Sequence, residues 1–339
     1  MTAARPRRGH IIRDPPYSRD VRVQLPEPST RPVLRLAQAA LMLNVLLVLS
    51  GAAVRLTGSG LGCPTWPRCT GGSVVNTPAL GVNGYIEFGN RLLAVLLEVV
   101  GVALVVAVLR LRRPRSDGWI RLATVQVLVV PLQAVIGGLL VLSHLNPYVL
   151  ILHFLVSFPL ITAAAMLLAR VVTPGARMRR GHPELRWLTG ALVSAAALVL
   201  VLGTVVTGTG PHAGSRDIAR LPFDPREVTQ LHADGVFLLV GLTLALALVG
   251  PALGAPTTVR RKTRTLLAVI ATQAVLGYLQ YFLAVPPALV ALHVLGAAVV
   301  FTLAVTTHLA TTSPPRRAAQ QPQQVPATLA RGTRLSAVD

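Results

Sequence analysis

The sequence predicts an all-α membrane protein with eight transmembrane helices, arranged as two four-helix bundles related by a pseudo-two-fold axis. Three observations lead there. Eight apolar runs are each long enough to cross a hydrocarbon core, which takes about 20 helical residues. None of them alternates as a barrel strand would, and only helices or closed barrels satisfy the backbone in lipid. Landmarks of the first half also return in the second: Gln133-Ala-Val-Ile-Gly137 reappears as Gln273-Ala-Val-Leu-Gly277, and His153 reappears as His293, both at an offset of 140 residues.

In chain order the spans are read at 33–54, 87–109, 120–142, 147–171, 187–208, 229–250, 264–284 and 287–310. Thr57-Gly-Ser-Gly60 ends the first and Thr207-Gly-Thr-Gly210 the fifth, which extends the duplication to whole halves. Each half has an even number of helices, so the two are parallel repeats about an axis along the membrane normal. The expected division is a cytoplasmic tail (1–32), an N-terminal half (33–172), a cytoplasmic linker (173–186), a C-terminal half (187–310) and a second tail (311–339). Both tails are polar and rich in Pro with Arg or Gln, a composition that cannot bury a core, and are expected to be disordered. The first lacks the apolar segment of a secretory signal.

Hydrophobic residues make up 53% of the 339, too many for a soluble globular chain. The net charge of +20 does not indicate nucleic acid, because no water-facing domain remains once the spans are removed. It reads instead as topology. The two tails, Arg35 and the connections near 110–121, 170–186 and 260–264 hold 26 of the 32 Lys and Arg residues, so both termini are expected in the cytoplasm.

With His308 set at a cytoplasmic helix end, three histidines remain inside the membrane: His153, His232 and His293. Each lies roughly four to seven residues from the outer end of its helix, or about 6–10 Å below the outer surface. One intramembrane histidine often does no more than bond a neighbouring helix. Three at one depth, two of them repeat-related, suit a cofactor better, since neutral imidazole ligates heme iron and bundle cores build such sites from facing helices. His232 and His293 make an axial pair within one half. In the first half the position matching His232 is Asn90, and a carboxamide is a poor ligand for heme iron. An iron held by His153 would keep an open or weakly filled side, which suits chemistry or exchange.

The acidic residues within the spans are Glu87, Glu98 and Asp234, and an intramembrane carboxylate is by default a functional candidate. Glu87 lies one turn before Asn90 and near Arg91. The bland alternative is an interfacial residue that reaches water. Glu98 returns to nearly the same helix face about 16 Å deeper, where an interhelical hydrogen bond is expected of it. Asp234 is expected to point away from the site of His232 or to reach the rim. Cys63 and Cys69 bracket Pro-Thr-Trp-Pro-Arg in the first outer loop. They cannot complete a zinc site and form no c-type heme motif. An oxidising compartment permits a disulfide between them, as a structural clip or as a redox relay.

As a set these residues resemble the heme A synthase family over roughly residues 33–310. The features carrying the likeness are the two four-helix repeats, the Cys63/Cys69 pair, the Glu-containing start of the second helix, and histidines in helices four, six and eight. The resemblance implies an oxidoreductase of the bacterial cell membrane that converts the C8 methyl of heme O to the formyl of heme A, for terminal oxidase assembly. It implies heme b as cofactor on His232 and His293, with His153 as ligand of a substrate or second heme and Glu87 as the catalytic carboxylate. Arg91 is a candidate propionate contact. Heme O synthase and oxidase assembly factors are implied partners, and a homo-oligomer is compatible. The family motif Glu-x-x-His-Arg stands here as Glu87-Phe-Gly-Asn90-Arg91. Two alternatives share some of these features. A b-type cytochrome acting only in electron transfer would explain the paired histidines but not the Asn90 gap beside Glu87. A small-molecule transporter would explain the repeats but is expected to carry broken helices at mid-membrane.

Overall fold

The computed structural model describes residues 30–111, 117–172, 182–212, 214–215 and 218–311. The tails, most of the linker and His10 lie outside these residues. All eight expected helices are present: α1 Arg31–Leu56, α2 Gly81–Arg110, α3 Asp117–Leu142, α4 Pro147–Val172, α5 Pro183–Thr209, α6 Pro225–Val249, α7 Thr257–Phe282 and α8 Pro287–Ala310. All eight are long and apolar enough to cross a membrane, and the described residues contain no strand. The chain is a multi-pass membrane protein.

Two helices begin earlier than their apolar runs. α2 starts at Gly81 rather than 87, and α7 at Thr257 rather than 264. Hydropathy marks only the part of a helix that meets lipid tails; the extra stretch of α7 is polar, and that of α2 mixes two glycines and Asn83 with Val82, Tyr85 and Ile86. Arg260, Arg261, Lys262 and Arg264 therefore sit on the first turns of α7 and not in a loop. Lys262 Nζ donates to Thr306 Oγ1 on α8 at 2.9 Å. Four helices start on a proline (Pro147, Pro183, Pro225 and Pro287), whose fixed φ and missing N–H cost nothing in a first turn. α6 is also capped by Asp224, which accepts from Arg226 N at 2.7 Å.

Each group of four helices closes on itself. α1 packs on α2, α2 on α3, α3 on α4 and α4 back on α1, and the same order recurs through α5, α6, α7 and α8. The groups meet where α4 and α1 lie against α8 and where α4 meets α5. Phe158 of α4 stacks edge-on against Phe154 and against Phe301 of α8, with centroids 5.2 and 5.1 Å apart. At mid-membrane in the first group, Asn44 Nδ2 donates to Gln126 Oε1 at 3.0 Å, and Gln126 Nε2 to the Leu160 carbonyl at 2.8 Å. That chain of bonds pins α1, α3 and α4 together.

The duplicated hairpin repeats down to its backbone. His144 and Leu145 have φ of 51° and 62°, and Ala284 and Val285 have φ of 57° and 60°. Consecutive left-handed residues other than glycine are uncommon because Cβ crowds the backbone. The same hydrogen bond closes both turns, Leu145 N to Leu140 O at 2.9 Å and Val285 N to Gln280 O at 2.8 Å.

Candidate functional site

His153 and His293 each lie six residues beyond the proline that begins α4 and α8, and His232 lies seven beyond the one that begins α6. At 1.5 Å per residue all three sit about 9–10 Å from their helix starts. Each ring lies against a glycine of the preceding helix. A Cβ placed on Gly137 would stand 3.1 Å from His153 Cε1, one on Gly203 3.2 Å from His232 Cε1, and one on Gly277 3.8 Å from His293 Cε1. Gly137 and Gly203 clear room for an imidazole that a Cβ would crowd, whereas at Gly277 a Cβ would make ordinary contact. The Nδ1 atoms of all three histidines are buried and have no hydrogen-bond partner.

His232 and His293 face each other across the second group, with ring centroids 6.4 Å apart and planes at 66°. This distance can be tested against a shared metal. Two imidazoles on opposite sides of one ion, each at about 2 Å and with ring radii near 1.1 Å, would have centroids roughly 6.3 Å apart. The separation fits one interposed metal and is too long for the rings to bond each other. Among the described residues no group of three or more His, Cys, Asp or Glu could hold a bare metal ion. A heme iron, which brings four ligands of its own, needs only the pair.

In the first group the place of a second histidine is taken by Asn90, whose Oδ1 accepts from Ser50 Oγ of α1 at 2.6 Å. Gln133 Nε2 donates to the His153 carbonyl at 2.9 Å and to Ser157 Oγ at 3.0 Å, holding α4 at the height of that histidine. Glu87 is buried at 5% exposure, so it is not the water-reaching rim residue of the bland reading. Its Oε2 accepts from Cys63 N at 2.7 Å, and its Oε1 pairs with Arg91 Nη2 at 2.6 Å. Arg91 also donates to the carbonyls of Cys63 and Thr65, at 3.3 and 3.2 Å. Its guanidinium is thus committed to Glu87 and the outer loop.

That loop is closed by the Cys63–Cys69 disulfide. It rests Trp66 flat on α3, where a Cβ on Gly138 would fall 2.4 Å from Trp66 Cδ2. The loop therefore ties the Glu87 end of α2 to α3 beside Gly137, the glycine under His153. The remaining polar residues lie elsewhere. Glu98 Oε2 is buried without a partner, so the interhelical bond expected of it is absent. Asp234 accepts from Gln230 at the exposed surface. His308 meets Thr189 Oγ1 at 3.0 Å, His212 Nε2 meets the Val285 carbonyl at 2.7 Å, and His182 pairs with Glu184 at 3.4 Å. His144 is exposed on the hairpin turn.

Residues 35–305 match the cytochrome oxidase assembly protein family COX15-CtaA. The chain belongs to that family. Its similar relatives include the heme A synthase of Symbiobacterium thermophilum, 30% identical over 262 residues, which cover 72% of this chain and 83% of that protein. The heme A synthase of Lysinibacillus sphaericus is 34% identical over 188 residues, covering 51% of this chain and 57% of that protein. For the heme A synthase of Geobacillus kaustophilus the identity is 34% over 139 residues, or 39% and 40% of the two chains. The chain thus spans about half the length of several of the relatives it matches.

Within this assembly-family protein, some site features were invisible in the residue pattern. The repeated Gly137 and Gly277 stand out in the sequence, but Gly203 has no counterpart there, and only packing places it under His232. Ser50 reads as an ordinary small residue of an apolar run. Arg55, at the outer end of α1, is one of the six Lys and Arg residues left on the outer side in the topology reading, and its Nη2 donates to the Thr207 carbonyl of α5 at 3.0 Å across the seam between the two groups.

Proposed function

We propose that the protein is a heme A synthase, an oxidoreductase that converts the C8 methyl of heme O to the formyl group of heme A. The observation that carries this is the unequal pair of sites. One group has two histidines at a separation that suits a single heme, and in the other the repeat position of His232 is held by Asn90, which is bonded to Ser50. An electron-transfer cytochrome needs no such vacancy beside a buried carboxylate. In this reading residues 187–310 are the cofactor half, with His232 and His293 the axial ligands of heme b, and residues 33–172 are the substrate half. The two are related by a pseudo-two-fold axis along the membrane normal, and both termini lie on the cytoplasmic side of a bacterial membrane.

A heme b in the second group supplies one-electron transfer when bound. The remaining roles belong to side chains. His153 holds the substrate heme O from one face, and its ring is set by Gly137 and by the Gln133 bond to its own carbonyl. Asn90 leaves the opposite face without a second imidazole. Glu87 stabilises positive charge that develops at the methyl carbon as it is oxidised, acting as a fixed charge in a water-poor site. Its two oxygens are held by Arg91 and by the Cys63 amide, so it need not reorganise during the reaction. The disulfide loop thereby serves as a positioning clip for the carboxylate.

Coexpression with a source of heme O, followed by heme extraction, tests the reading. Wild-type protein is expected to yield heme A, and Glu87→Ala to yield it at least about a hundredfold more slowly, as for loss of one transition-state stabilising group. A wild-type protein that retains heme b but makes no heme A would favour the cytochrome alternative. A preparation with no heme band at all would refute both.

A further inference from the structure

Two arginines converge on the outer seam between the helix groups without a carboxylate to meet them. Arg55 ends α1 and donates Nη2 to the Thr207 carbonyl, while its Nε is buried and unpartnered. Arg220, in the connection between α5 and α6, donates to the carbonyls of Gly210 and Pro211 and interacts electrostatically with Arg55. The Gly214 backbone packs over Arg55, where a Cβ would lie 3.7 Å from Arg55 Cγ. The carbonyl end of α5 offers about half a negative charge, which offsets only a fraction of two guanidiniums. Among the described residues neither arginine has an ion-pair partner, so the pair lacks an anion.

The position suggests which anion. Thr207, the residue Arg55 bonds, is one turn outward of Gly203 on the same face of α5, and Gly203 underlies the His232 ring. Along α5 the carbonyl that Arg55 bonds is thus about 6 Å outward of the glycine under His232. That lies within the span of a porphyrin edge and a propionate arm. Arg91, by contrast, is taken up by Glu87 and loop carbonyls. We infer that Arg55 and Arg220 form an oxyanion site for a propionate of the heme held between His232 and His293. This inference rests on the proposed cofactor half. Arg55 comes from the other half, so occupancy of the site would lock the two groups together around the cofactor. A guanidinium fork matches a carboxylate in bidentate geometry, and its Nε–H is one of the donors that geometry uses.

The test uses purified full-length wild type, Arg55→Gln, Arg220→Gln and the charge-retaining Arg55→Lys, each reconstituted with protoheme or with its dimethyl ester. The wild type is expected to prefer the free acid, and the Gln variants to lose about tenfold of that preference, the worth of one charge-assisted hydrogen bond. The Gln variants should keep the spectrum of a bis-histidine heme, and their midpoint potential should fall. Ferric heme carries one more positive charge than ferrous heme, so removing a nearby cation favours the oxidised form. Arg55→Lys should keep most of the potential while losing part of the acid-over-ester preference. Unchanged potential and preference in both Gln variants would overturn the inference and leave the arginines as caps of the α5 carbonyls. Loss of copurifying anionic phospholipid with no shift in potential would overturn it in favour of a lipid phosphate. Wild type that takes up no heme would bring down the parent reading with this one, whereas heme-replete wild type with indifferent variants refutes this inference alone.

Discussion

Adding a methyl group at the glycine under each ring should distinguish His232 from His293 by how closely they are packed. In Gly203→Ala the new Cβ lies 3.2 Å from His232 Cε1, closer than ordinary van der Waals contact, so the ring must yield by a few tenths of an ångström. In Gly277→Ala the corresponding distance is 3.8 Å, which is ordinary contact with His293. Both substitutions gain about 1 kcal/mol of helix propensity. Overpacking costs about 1–3 kcal/mol where a well-filled site cannot relax. The net expectation is about 0–2 kcal/mol of destabilisation for Gly203→Ala and up to about 1 kcal/mol of stabilisation for Gly277→Ala. Gly241→Ala on α6 reports the propensity gain alone, because nothing lies within 4 Å of its Cβ. Denaturant unfolding in detergent measures the stabilities, and the absorption spectrum of reconstituted heme reports the ring displacement. Gly203→Ala should shift that spectrum and the other two should not. A Gly277→Ala protein as unstable and as spectrally altered as Gly203→Ala would refute the assignment of ring clearance to these glycines.

Other perturbations follow from the same geometry. Asn90→His should restore a second imidazole opposite His153 at the cost of the Ser50 bond, worth about 1 kcal/mol; heme titration should then show a second low-spin site and heme A formation should drop. Gln126→Leu removes the link between Asn44 and the Leu160 carbonyl and is expected to lower stability by about 1–2 kcal/mol, read as a lower denaturation midpoint in detergent. Cys63→Ser with Cys69→Ser should free the loop that presents the Cys63 amide to Glu87, lowering heme A yield while leaving the His232/His293 heme spectrum intact. Equal loss of both signals would mean that the loop supports the whole fold instead.

The helices were legible because each depends on a long-range average, the hydropathy of about 20 residues, which no single contact can overturn. Their ends were less so. Thr257 begins a helix whose first turns are polar and Gly81 one whose first turn holds two glycines and Asn83, and such turns look like loop in a hydropathy reading. The duplicated hairpin was legible for a different reason. Its Gln133 and Gly137 have structural tasks, one holding the His153 carbonyl and the other clearing its ring, and the copy retains the same residue types. Contacts between distant segments were the part that could not be read. Nothing local in α1 says that Ser50 meets Asn90, 40 residues on, or that Arg55 reaches Thr207, 152 residues on. A lone arginine at the outer end of a span runs against the topological expectation, yet nothing in its sequence neighbours names the carbonyl it meets.

The same hairpin, used twice, takes different surroundings in the two groups, and the difference is one of polarity. The first group carries Asn90 bonded to Ser50, Gln133 bonded to the His153 carbonyl and to Ser157, and the Glu87–Arg91 pair under the outer loop. Around His293 the nearest counterpart is a second imidazole, and Gln273 is packed against Gly296 with an unpartnered Oε1. Buried polar groups are costly in a membrane unless they are used or paired. A half that serves only to hold a cofactor has reason to lose them, and a half that must bind, orient and release a changing substrate has reason to keep them. In the proposed reading the first group, which keeps these polar side chains, is the reacting half, and the disulfide loop lies over its carboxylate.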